Sequence, residues 1–233
     1  MSRAQWPGQG RLRAGRDYMI EVALFPIPNV VAFPGTTVPL HVFEPRYRKL
    51  VHDCVETERL LGVCHVTKTI REAPAASSIE DALNSNQATY QPQKVFSAGR
   101  CEIIEELEDG RILAQIEMQQ RFVIEHEVQS LPYRVVSCSQ LADLEESENP
   151  GENQQLKERV HTVLVDIVGR QNPELAQELG SSAWLEKTAA EYSFEIFQIL
   201  HFDPETMQHL LEMRSTGKRL ITTLSLLSGK PVD

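Results

Sequence analysis

Several kinds of machinery are missing from this chain of 233 residues. No apolar run approaches the roughly 20 residues that span a bilayer, so no membrane-embedded segment is expected. No Gly-x-x-x-x-Gly-Lys-[Ser/Thr] run occurs, which removes the phosphate-cradling loop of an ATPase module. Cysteine is sparse. Cys54, Cys64, Cys101 and Cys138 form no C-x-x-C pair, and a chain of this size needs no covalent staples, so free thiols in a reducing compartment are expected. Basic charge is short as well: 23 Lys and Arg stand against 33 Asp and Glu, a net charge of −10. That balance opposes nucleic-acid binding, which relies on a basic stripe to release counterions from phosphates.

What remains is an ordinary globular composition, 41% hydrophobic and 24% charged, long enough for one large domain or two small parts sharing a core. The first residues differ from the rest. Arg3, Arg11, Arg13 and Arg16 alternate with Gly8, Gly10 and Gly15 and lack the apolar centre of a secretory signal. Residues 1–19 are expected to be a disordered basic tail. From Ile20 to Asp143 short apolar runs are punctuated by Pro and Gly; beyond Leu156 the pattern is helical. The acidic stretch between, DLEESENPGENQ at 143–154, carries Pro150-Gly151 and is expected to link the two parts, a sheet-rich part at 20–143 and a helical part at 155–229.

Five prolines between Pro26 and Pro45 exclude a helix there. In Thr37–Phe43 the residues Val38, Leu40 and Val42 alternate with polar or bulky ones, which predicts a strand with one buried face. Pro39 has no N–H to donate, so this strand is expected at a sheet edge. Pro45 suits a first helical position; Tyr47, Leu50, Val51, Cys54 and Val55 then mark one helix face. Leu60–Val66 predicts a compact buried strand. Thr67–Gln93 is polar and too long for an ordinary connection, with room for a short helix capped at Ser78. Strands are expected at Lys94–Leu107 and Arg111–Met118 about an Asp109-Gly110 turn, then at Phe122–Val128 and Tyr133–Gln140. Many short strands with one early helix predict a small, partly open barrel. Helices follow at Leu156–Val168, ending at Asn172-Pro173, at Ser182–Leu200 with Leu185 inward, from Asp203-Pro204 through Leu211, and from Leu220 to Gly229. The fold class is therefore α+β.

The block FPIPNVVAFPGTTVPLHVFEPRYRKLV at 25–51 resembles the opening of the Lon protease N-terminal domain, and its HVFEPRY part is similar to free-standing bacterial members. Weaker matches follow at Phe96–Ile104 around Gly99, Asp109–Arg111, Arg121-Phe122, Leu131–Tyr133 and Leu210–Leu227, so the resemblance spans about Ile20 to Ser228. Arg100 departs from it, standing where a small hydroxyl residue commonly follows the glycine, and Thr67–Gln93 looks longer than usual. The resemblance implies a PUA-like β-barrel followed by a helical bundle, with 20–229 as one domain. It also implies a free-standing, non-catalytic, cytoplasmic (bacterial-type) module that holds or presents unfolded or degradation-prone polypeptides, with a protease or ATPase in trans as a further partner. No cofactor, metal or catalytic residue is expected. RNA binding, which PUA-like barrels also perform, and an undetected hydrolase stay open as other readings.

The candidate binding residues are Pro39, His41, Phe43, Glu44 and Arg46. Pro39, His41 and Phe43 share the strand face opposite the core, where an exposed aromatic can meet an unfolded peptide or pack beneath the helices. Glu44 and Arg46 suit substrate contact or helix capping and pairing. Ser215 with Lys218, or Ser228 with Lys230, reads as helix-cap serines and solvated lysines rather than a catalytic dyad. His52, Cys54, Cys64 and His65 lie close in sequence but should face apart, as core thiols and surface imidazoles. The run Glu102, Glu105, Glu106, Glu108 and Asp109 reads as a solvated hairpin end.

Overall fold

The computed structural model describes residues 19–71, 89–144 and 149–229. The basic tail, the centre of the Thr67–Gln93 stretch with Ser78, and Lys230 lie outside them. The order is β1 (Ile20–Pro26), β2 (Thr37–Val42), α1 (Pro45–Thr57), β3 (Leu61–Cys64), β4 (Val66–Arg71), β5 (Thr89–Pro92), β6 (Val95–Glu106), β7 (Ile112–Gln129) and β8 (Arg134–Gln140). Then come α2 (Pro150–Gly169), α3 (Pro173–Leu179), α4 (Ser182–Leu185), α5 (Ala189–Glu195), a 3-10 turn (Ile196–Gln198), α6 (Pro204–Glu212) and α7 (Thr216–Leu227).

Five strands pair in a closed ring. β1 runs parallel to β3 and antiparallel to β8, β3 pairs β6, β6 pairs β7, and β7 returns to β8. β2 lies outside the ring as an edge strand on the first half of β7, with Pro39 opposite Gln115. β1 is covered on both faces. Val22 and Leu24 pack with Phe96, Phe122 and Val136, whereas Ala23 packs beneath α1 with Leu50, Val51 and Leu61. This is why the strand reads as a continuous apolar run rather than an alternating one.

Arg111–Met118 and Phe122–Val128, expected as separate strands, are one strand of 18 residues. Between Ala98 and Gly99 the register against β7 slips by one residue. This bulge leaves Gln119 and Gln120 both exposed, and the broken alternation mimics a turn. Gly99 sits at that slip for a steric reason: a Cβ there would lie 1.7 Å from the Glu117 carbonyl oxygen.

In α1, Tyr47, Leu50, Val51 and Cys54 turn inward as expected, but Val55 is 40% exposed. Eight residues beyond Tyr47, it has drifted to the flank of the apolar stripe. The helical part also departs from expectation in detail. The acidic link is helical from Pro150, with the Asn149 side chain accepting from the Glu152 N–H. The span Ser182–Leu200 is broken into α4, α5 and the 3-10 turn, and Leu185 is 52% exposed rather than inward. The break has two local causes. Thr188 and Glu191 form a capping box that starts α5, and the buried Lys157 ammonium donates to the carbonyls of Leu185 and Lys187, at 2.7 and 2.5 Å. Asp203 caps α6 with Pro204 in its first turn, as the sequence predicts.

Phe33, from the Phe-Pro-Gly turn before β2, enters the helical core and stacks on Phe197 with centroids 4.3 Å apart. The second connection between the two parts is ionic. Arg121 of β7 and Arg219 of α7, 3% and 0% exposed, both bind Asp143, which follows β8. Both guanidinium groups lie over the ring of Phe194, at 4.7 and 3.7 Å. Their other donors reach Leu211 O, Met213 O and Ser193 Oγ. Burial raises the Asp143 carboxyl, but Arg219 and Arg121 override it and hold it below the usual carboxylate range. Burial draws Arg121 down to about 10, against the pull of Asp143, so it stays charged at neutral pH.

Removing Asp143 takes a shared carboxylate from two buried cations. Asp143→Ala is expected to cost roughly 3–5 kcal/mol, read as a lower urea midpoint at pH 7. The native pKa is depressed, so the stabilisation is complete above the ordinary carboxylate pKa and disappears as pH falls through the lowered one. The gap between wild type and Asp143→Ala should therefore narrow in acid, below about pH 4.

Candidate functional site

β2 carries the candidate residues in alternation, Leu40 and Val42 buried and Pro39, His41 and Phe43 exposed. A groove of about 460 Å³ lies against it. Its other wall comes from Phe25 to Pro28 and Val30, and its floor from Tyr47. Four predicted residues, Pro39, His41, Phe43 and Glu44, meet on this one lining. Phe43 is 37% exposed, and His41 Nε2 is 3.3 Å from Arg111 Nη1.

Arg46 stands behind the groove. Its Nε and Nη2 bind one Glu44 oxygen at 2.9 and 2.8 Å, a pair with little solvent access. The same guanidinium sits 4.5 Å above the Tyr47 ring and reaches Thr89 Oγ1 at 3.4 Å. Glu44 occupies the N-cap position of α1, where its side chain makes no capping bond. Tyr47 is also stacked on Phe25, centroids 4.2 Å apart. Burial, opposed by the Arg46 charge, pushes its phenol up to about 12.

A second depression of about 380 Å³ adjoins the first and shares Val30, Val38 and Pro39 with it. It opens toward Phe197, Phe202 and Met207 of the helical part. Of these two, the second depression lies between barrel and helices, and His41, Phe43 and Glu44 line the first, within the sheet-rich part. Tyr47 and Tyr90, both on the groove lining, were not among the predicted residues. Tyr47 reads as a core position of α1, and Tyr90 ends a polar stretch whose return as β5 no local signal announces.

Other expectations resolve locally. Ser215 caps α7, its Oγ accepting from the Lys218 N–H at 3.3 Å. Cys54 and Cys64 are buried, and burial pushes each thiol up to about 12. His65 is not a surface imidazole but 6% exposed. Its Nδ1 accepts from the Asn29 N–H at 3.1 Å, in a turn where Asn29 has φ 62°. The sequence hides this turn, and with it the donor that requires the imidazole. The acidic residues from Glu102 to Asp109 named above are exposed at the hairpin end. No helix among the described residues is long and apolar enough to cross a membrane.

The barrel, the edge strand and the helical part together invite comparison with known proteins. The family model for the substrate-binding domain of ATP-dependent protease La (LON) matches residues 21–229. The chain belongs to the Lon substrate-binding domain family. Among solved structures, the Lon N-terminal domain protein from Xanthomonas campestris aligns with a TM-score of 0.57 at 22% identity, covering 91% of this chain and 99% of that one. The N-terminal domain of Mycobacterium avium complex Lon protease aligns with a TM-score of 0.63 at 14% identity, covering 90% and 98%. The Lon protease of Flavobacterium johnsoniae is 20% identical over 212 residues, which are 90% of this chain but 24% of that protein. That of Cytophaga hutchinsonii is 26% identical over 160 residues, 66% and 17%. The chain thus spans a quarter or less of the length of these curated relatives, and the similarity covers both parts of the Lon domain fold.

Tyr47 supplies a pH signature for the groove floor. Its native pKa lies above the ordinary value near 10, so its stabilisation is complete below about pH 10 and is lost as pH rises toward 12. Tyr47→Phe should show a shallower loss of stability over that window in urea titrations at stepped pH.

Proposed function

We propose that this chain binds unfolded or degradation-prone polypeptide segments in the groove beside β2 and performs no chemistry on them. The observation that carries this reading is the lining. It is apolar and aromatic, accessible at Phe43, and without Ser, Thr, Cys or Lys, so it holds none of the usual activated nucleophiles of acyl transfer. Affinity in such a site comes from burying a few anchors rather than from many polar contacts. Membership of a family named for substrate binding supports the same reading. The use of such binding would be to hold a client or hand it to an energy-dependent protease. The net charge of −10 weighs against RNA as the ligand.

The test compares reduced, carboxamidomethylated α-lactalbumin with the native, disulfide-intact protein, by fluorescence anisotropy at physiological salt. Wild type should bind the unfolded form and leave the native one alone. Phe43→Ala should weaken binding roughly tenfold, the loss of one anchor, with an unchanged melting temperature. Equal affinity of wild type and Phe43→Ala would place the contact elsewhere.

A further inference from the structure

We infer that the bound segment is taken up as an extra β-strand along the open edge of β2, its main chain hydrogen-bonded to Thr37, Pro39 and His41. This deepens, and rests on, the polypeptide-binding reading above.

The first observation is which residues the depressions touch. Residues 38 to 43 all line the first, and 36 to 39 all line the second. Successive strand side chains point to opposite faces. A depression that meets every consecutive residue therefore lies against the edge of the strand, not over one face. The two share Val30, Val38 and Pro39, so they form one trough along that edge. β7 is the one strand neighbour of β2 among the described residues.

The second observation is the phase of the ladder. Met118 N–H donates to Thr36 O at 2.9 Å, and the register runs on through Val38↔Ile116 and Leu40↔Ala114. Antiparallel pairs alternate between bonded and non-bonded, so the even-numbered residues turn their N–H and C=O toward β7. Thr37, Pro39 and His41 turn theirs into the trough. Pro39 is tolerated because the N–H it lacks would have faced that open side. An incoming strand finds the carbonyls of Thr37, Pro39 and His41 as acceptors and the N–H groups of Thr37 and His41 as donors. Its side chains fall alternately on the two sides of the edge, toward the Phe25–Tyr47 wall and toward Phe43 and the solvent side.

Charge and size specify the occupant further. The single carboxylate on either lining, Glu44, is bound by Arg46 at 2.8 Å. The trough is close to neutral on a chain of net charge −10. An uncharged or cationic segment fits, and an acidic one is repelled. β2 has six residues, about 20 Å of edge, which suits an extended segment of similar length with alternating apolar residues. Native proteins keep such segments inside their sheets and expose them on unfolding.

The experiment uses a capped, fluorescein-labelled octapeptide alternating valine and threonine, and an analogue in which its central amides are replaced by esters. The analogue keeps the side chains and loses the donors. The amide peptide should bind, and the ester form should bind roughly tenfold or more weakly, the loss of several hydrogen bonds. On the protein side, His41→Pro, which deletes an edge N–H, should weaken the amide peptide more than His41→Ala, which deletes only the imidazole. Ester binding within about twofold of the amide overturns strand addition and leaves polypeptide binding standing. Binding of unfolded α-lactalbumin without binding of the amide peptide also overturns it. Failure of both ligands overturns the binding reading and the inference together.

Discussion

Among the described residues, Asp143 is the carboxylate that the buried guanidinium groups of Arg121 and Arg219 share across the ring of Phe194. Dipoles add to this charge pairing. Leu211 O and Met213 O, at the C-terminal end of α6, accept from the arginines. Carbonyls there have no partner within their helix and carry partial negative charge. The arrangement ties β7, Asp143 just past β8, α5, α6 and α7 to one point. It is satisfied only when the barrel and the helical part hold a single relative position. Replacing such a cluster with apolar residues often costs nothing in stability. What ionic groups add here is geometry, since these directed bonds are made together only in this docking of the two parts.

That docking shapes the trough. The chain from Pro26 to Gly35 leaves β1, sends Phe33 into the helical core and returns as β2. Phe33 anchors this loop at the helical end, while the His65 imidazole holds the Asn29 turn at the other. On either side of the Asn29 turn, Phe25 to Pro28 and Val30 form the wall facing the edge of β2. With the loop held at Asn29 and Phe33, β2 has β7 as its one strand neighbour among the described residues. Exposed edges are ordinarily blunted by charge, proline or a covering element. Here Pro39 removes one donor and the loop lies along the flank, an arrangement that, on the strand-addition proposal, admits a single strand rather than a whole sheet.

How much of this was legible in the sequence follows from what each signal encodes. The division into a sheet-rich and a helical part, the α+β class and the edge position of β2 rest on local chemistry. Prolines are kept out of helix interiors and of the middle of a central strand, and Asp203-Pro204 marks a helix start. Local chemistry also placed Pro39, His41, Phe43 and Glu44 on one stretch, and the fold brings them to one groove. The failures share a cause as well. The unity of β7 was masked by a bulge, which is a relation between two strands. The break after α4 depends on Lys157, almost 30 residues upstream of the carbonyls it binds. His65 is buried because of a donor 36 positions away. Asp143 looked like the first residue of an acidic link, and nothing nearby in the chain shows the two arginines it serves. Periodicity and turn chemistry report what a residue does with its neighbours in sequence; these positions are decided by partners far along the chain.

The same distinction bears on how a binding surface of this kind can tolerate sequence change. A site that recognises side chains would depend on the identities along β2. A site that recognises main chain depends on the direction of a few N–H and C=O groups, and those are set by the register against β7. The residues that hold that register are the buried Leu40 and Val42 of β2 and Ile112, Ala114 and Ile116 of β7. None of them meets the ligand's hydrogen bonds, yet a one-residue slip would turn the bonding groups of β2 away from the trough and its apolar set out of the core. On the strand-addition proposal, the constraint on recognition thus lies in the packing beneath the strand more than in the residues that face the ligand.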